Sequence, residues 1–181
     1  LSTEEGKWKE AYAAVGELVL LYAGLDHQLN HIIIEVAQLV RSPMLEAVVA
    51  TLDPRQKIEL LKARADHIRQ QDWRKALKAH ADRLERVARV RNTVAHVPIV
   101  PNKTTGNLEF AATAATKLLK SLKFQSKDDY TVDRMGLHRV REAIDLGNKT
   151  LGGGQEILAN FSNLRAALAA KSSARGTDEA G

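Results

Sequence analysis

The sequence predicts an all-α fold, an up-and-down bundle of about five helices with a loop or small β-hairpin before the last. Three observations carry that expectation. Ala, Leu, Val, Glu, Lys and Arg dominate while aromatics make up only 4% of the chain, a balance that favours helices over sheets. Apolar residues recur at helical spacing over most of the length. The exception is VPIVPNKTTGNLEFAAT, beginning at Val97, where two prolines and a Gly-Asn pair interrupt that period.

Trp8, Val15, Tyr22, Leu29 and Val36 recur every seven residues, and Leu18, Leu25, Ile32 and Leu39 do so beside them. This predicts one long amphipathic helix over 8–40. Ser42 can cap and Pro43 open a short helix over 43–51, and Asp53-Pro54 repeats the signal for a third over 54–70. A fourth helix runs from Asp72 to His96. A loop or small β-hairpin around a turn at 102–107 follows, LKSLKFQ at 119–125 reads as another short strand, and Thr131 as the cap of the final helix. Gly152 to Gly154 invite a break there. Leu137, Val140, Ile144, Gly147, Leu151, Gly154, Leu158, Phe161 and Leu168 nevertheless keep one register through the glycines. A single helix weakened by roughly 1 kcal/mol per glycine is expected, two helices joined at the glycines being the alternative. One domain over 1–171 and a flexible tail over 172–181 complete the expected organisation.

Several function classes are excluded by composition. Without cysteine there is no disulfide, thiolate metal site or thiol nucleophile, and a reducing compartment fits. The longest apolar run, LVLLYAGL, lies between Glu17 and Asp26 and is far short of the roughly 20 residues that a membrane span needs. No basic segment with a small-residue cleavage site precedes it. A soluble, cytoplasmic protein without a membrane partner is therefore expected. The formal net charge of +5 is compatible with an anionic partner. His27 and His31 have a spacing that can bind metal, but they fall on the outer face of the first helix without an obvious third ligand. No metal and no cofactor are expected. The Gly152–Gly154 run follows a helix rather than a strand, unlike a phosphate loop.

The chemistry concentrates in RVRNTVAH, residues 89–96. At about 100° per residue, Leu84, Val87, Val94 and Ala95 share one side of the fourth helix, with Arg91 among them. Arg86, Arg89, Asn92, Thr93 and His96 take the other side. A charge at a core-facing position needs a partner, because an unpaired one costs several kcal/mol. In the first helix the row Val19, Asp26, Ile33, Val40 is apolar except for one acid, so Asp26 is the expected partner of Arg91, with Glu17 the second choice.

Arg91-Asn92-x-x-x-His96 resembles the signature of the HEPN superfamily: an arginine, four to six residues, then a histidine, commonly with Asn directly after the Arg. The context is similar too: a long first helix with an acid in its apolar stripe, the motif at the end of a late helix, a loop or hairpin after it, and a closing helix introduced by Tyr130-Thr131. The resemblance implies metal-independent cleavage of RNA by a homodimer whose two motifs face one cleft. His96 would move protons, Arg91 would neutralise the phosphorane and Asn92 would orient phosphate or ribose, with Arg86 and Arg89 on backbone phosphates. Phage defence or a toxin-antitoxin system, with an antitoxin or regulatory partner, is the family's usual setting. Many members silenced by a nucleotidyltransferase carry Tyr two residues after the His; here that position is Pro98, so the resemblance does not extend to that control. The alternative is a non-catalytic module that binds RNA or nucleotide, or that dimerises. Plainer roles stay open: Arg91 in a structural ion pair, His96 complementing a helix dipole, and Arg83, Arg86 and Arg89 with Glu85 as a solvated face.

Overall fold

Among the described residues, five helices and a small antiparallel sheet follow one another along the chain, and the class is all-α as the periodicity predicts. A computed structural model of the chain describes residues 4–111 and 134–178. Helix α1 is Glu4–Val36, α2 Pro43–Thr51, α3 Pro54–Asp66 and α4 Gln71–His96. Strands β1 (Ile99–Pro101), β2 (Leu108–Ala111) and β3 (Arg134–Gly136) precede α5, Leu137–Asp178.

Local chemistry fixes most of the ends. Ser42 accepts a hydrogen bond from the Leu45 amide and Pro43 fills the first turn of α2, where a missing N–H costs nothing. Asp53 opens α3 with a full capping box: its carboxylate accepts from the Arg55 amide while Gln56 accepts from the Asp53 amide. Helix α1 stops at Val36, short of the expected 40. Gln38 adopts φ +57 there, and its amide and that of Leu39 donate to the Glu35 and Ile34 carbonyls. This is the Schellman ending, with glutamine in the place where glycine is usual. Helix α3 ends at Asp66 rather than at 70, with His67 as its cap residue.

The chain divides into two compact units. The first takes Leu1–Tyr22 and Arg86–Leu146, the second Ala23–Glu85 and Gly147–Gly181. In the first, β2 is the central strand: Phe110 faces Ile99 on one side and Met135 on the other. The turn between β1 and β2 is tied by Asn102, whose side-chain oxygen accepts from the Thr104 and Thr105 amides, and Gly106 supplies the positive φ of 67°. Ala11, Ala14, Leu18, Val87, Leu108, Phe110, Val140 and Ile144 are among its buried apolar residues. The second unit buries Leu25, Leu29, Ile32, Val36, Ile58, Leu61, Leu77, Leu84 and Ile157, together with the polar Gln28, Lys57, His80 and Thr150.

Helix α5 passes through its glycines unbroken. Gly154 is buried against Gln28, whose amide donates to the Leu151 carbonyl at 2.9 Å, and a Cβ at 154 would overlap that side chain. The glycine therefore admits a neighbour rather than a turn. The helix continues to Asp178, past the expected boundary at 171, as the helix-forming AALAAK run from Ala166 allows. Its start is corrected as well: residues 134–136 form β3, an unexpected strand, so α5 begins at Leu137. The expected strand at 119–125 and the Tyr130-Thr131 cap lie outside the described residues.

Candidate functional site

The motif occupies the last turns of α4, within the first unit. Leu84 and Val87 are buried and Val94 is half-buried, as the helical wheel predicts, whereas Ala95 is exposed. The covered stripe ends before the helix does. Arg86, Arg89, Asn92 and His96 are exposed, and Thr93 returns its hydroxyl to the Arg89 carbonyl at 3.0 Å.

Arg91 is half-buried, but its surroundings differ from those expected. Its guanidinium carbon lies 5.5 Å from the centre of the Tyr22 ring, and one terminal nitrogen donates to the Asn92 side-chain oxygen at 3.2 Å. Its buried Nε has no hydrogen-bond partner among the described residues. Nor does any carboxylate among them pair with it. The aromatic face attracts the cation without neutralising it, and the Asn92 amide contributes only a dipole. Among the described residues, Arg91 is thus held by a ring and an amide without an acidic partner.

Asp26 is engaged elsewhere, which corrects the expected Asp26–Arg91 pair. Both its carboxylate oxygens accept from the Lys57 ammonium at 2.9 Å. Lys57 is only 1% exposed, so this is a buried cation with a partly buried acid. Asp26 thus takes its cation from α3 rather than from α4, and the expectation that a core-facing Arg91 pairs with an acid is not met among the described residues. The signal was present: Lys57 heads the row Leu61, Ala65 at four-residue spacing, both of them buried. Glu17, the second candidate for Arg91, is exposed.

His27 and His31 meet edge-to-face, with ring centres 4.7 Å apart and Nε2 atoms 3.3 Å apart. No third histidine, cysteine or acid joins them in a metal-binding group among the described residues. His80 is buried in the second unit and its pKa is pushed down to about 4, first by burial and then by the Arg83 guanidinium. It precedes Arg91 by 11 residues on the same helix and belongs to the core of the second unit.

The site residues that sequence reasoning missed are Tyr22 and Arg139. Tyr22 belongs to the seven-residue row on α1, where it reads as packing. Arg139 lines a groove with Arg86 and Arg89, a proximity between α5 and α4 that helical periodicity does not reveal. No family model, curated protein or solved structure matches the chain. Among the described residues, no helix is long and apolar enough to cross a membrane.

Proposed function

We propose that this chain is a HEPN-type endoribonuclease that cuts RNA without a metal, using Arg91, Asn92 and His96 of two paired copies. The observation that carries this reading is the state of Arg91. An arginine held only for structure is normally neutralised by an acid when it leaves water. Arg91 is instead fixed by an aromatic ring and an amide, five residues before an exposed imidazole. That combination suits a group that must meet a phosphate.

The chemistry follows from the residue types. One imidazole takes the proton of the ribose 2′-hydroxyl as its oxygen bonds to the adjacent phosphorus. The bond from phosphorus to the 5′-oxygen of the next nucleotide breaks, and a second imidazole protonates that leaving oxygen. Arg91 neutralises the charge that grows on the non-bridging oxygens between the two events. The products are a 2′,3′-cyclic phosphate and a 5′-hydroxyl. One motif offers one imidazole, so two copies related by a two-fold axis complete the set. Tyr12, Val19 and Leu20, which are 64%, 39% and 76% exposed on the same unit as the motif, leave apolar surface available for such pairing. A cytoplasmic role in phage defence or a toxin-antitoxin pair, under an antitoxin or another regulatory protein, goes with this reading.

The test is incubation of the purified protein with total RNA in EDTA, beside its His96→Ala variant, with the oligomeric state measured by light scattering. Cleavage by the parent alone and a dimer at micromolar concentration are expected. Binding without cleavage would favour a non-catalytic RNA-binding module, and a monomer that cleaves would remove the composite site.

A further inference from the structure

A groove of about 270 Å³ lies in the first unit among α4, β3 and α5. Its exposed lining residues are charged: Arg86 and Arg89 from α4, Arg139 and Glu142 from α5. Its less exposed residues are apolar: Val90, Met135 and Ala143, the last only 4% exposed. Arg139 donates to Glu142 at 3.1 Å, so among the described residues the rim carries three guanidinium groups against one carboxylate. An arginine rim over an apolar floor is complementary to a nucleotide, with anionic phosphate at one end and a flat, weakly hydrated base at the other. The volume is several times the roughly 30 Å³ of a water molecule, and a methionine floor conforms to a ring.

The groove also has a fixed relation to the motif. On α4, Arg86, Arg89, Asn92, Thr93 and His96 fall within an arc of about 120°, and Arg89 precedes His96 by roughly 10 Å of helix rise. A strand that runs along this side of the helix meets the groove and then the imidazole.

We infer that this groove binds one unstacked nucleotide of a single-stranded RNA, phosphate on Arg86, Arg89 and Arg139 and base on Val90, Met135 and Ala143, beside the proposed cleavage site. The inference rests on the reading of the chain as a ribonuclease and adds that its substrate is single-stranded at the bound position. A paired base is turned toward its complement and cannot lie on the floor.

The test uses full-length protein carrying His96→Ala, so that the RNA survives, and a fluorescent 12-nucleotide single strand, the same sequence as a duplex, and free mononucleotides as competitors. Anisotropy should show the single strand bound at least tenfold more tightly than the duplex, with Arg139→Ala weakening the single strand about fivefold or more. Irradiation of the single strand carrying 5-iodouridine should crosslink it to a peptide containing Met135. Equal affinity for the duplex, an unchanged affinity in Arg139→Ala, or no crosslink at Met135 would overturn the groove as the binding site. A mononucleotide that binds as tightly as the strand would also overturn it, by making this a free-nucleotide site. Arg139 is exposed, so folding of its variant is not at issue, and circular dichroism verifies it. Cleavage by the parent protein is a separate readout: strand binding with no cleavage sinks the ribonuclease reading alone, and cleavage with no role for Arg139 sinks the groove alone.

Discussion

Lys57 places its ammonium 2.9 Å from both oxygens of Asp26, and this pair joins α1 to α3 inside the second unit. Removing one partner of a buried pair costs more than the pair contributes, because the other charge is left stranded. Asp26→Ala should therefore destabilise the protein by about 3 kcal/mol or more, whereas His96→Ala, at an exposed position, should change stability by less than about 0.5 kcal/mol. Urea melts of the two variants decide this, and Asp26→Leu combined with Lys57→Met should recover most of the loss.

His80 gives the protein a pH dependence of known sign. Its pKa of about 4 in the folded chain lies below the ordinary value of 6.5, so the unfolded chain binds the extra proton first as pH falls. The stabilisation is complete above about pH 6.5, diminishes between there and pH 4, and is lost below. The span corresponds to about 3 kcal/mol. Melts at pH 7, 5.5 and 4.5 should show a fall that His80→Leu largely removes; an equal slope in the variant would assign the effect to other groups.

Gly152 and Gly154 of α5 should respond in opposite directions. A Cβ at Gly154 would overlap Gln28, so Gly154→Ala should cost about 1–3 kcal/mol. At Gly152 nothing lies within reach, and Gly152→Ala should add stability of about 1 kcal/mol through helix propensity alone. Thermal melts of both variants measure the signs directly.

The legible parts of this fold are those decided locally or by periodicity. Ser42-Pro43 and Asp53-Pro54 announce α2 and α3 because a cap and its helix are neighbours in sequence. The unbroken α5 is legible because a register that survives three glycines leaves no room for a turn. What escaped depends on residues far apart in the chain. Gln38 gives no sign that it will take the left-handed conformation that ends α1, since glycine is the usual choice there. Strand β3 exists through its pairing with β2, as Glu109 opposite Gly136 shows. At the candidate site, the exposed row Arg86, Arg89, Asn92 and His96 follows from helical phase, whereas the partner of Arg91 does not. Phase says that a cation faces inward; only packing says that it meets the ring of Tyr22.

In the proposed reaction Arg91 and His96 act on a ribose 2′-hydroxyl, and the measurement closest to that chemistry is end-group analysis of one RNA oligonucleotide cut in EDTA. The expected products are a 2′,3′-cyclic phosphate and a 5′-hydroxyl, formed at a rate that Arg91→Ala lowers by about a hundredfold or more. Replacing the 2′-hydroxyl at the cut nucleotide with hydrogen should abolish cleavage while leaving binding intact. Products ending in 3′-hydroxyl and 5′-phosphate, efficient cutting of the deoxy-substituted strand, or strict dependence on added Mg²⁺ or Zn²⁺ would contradict it.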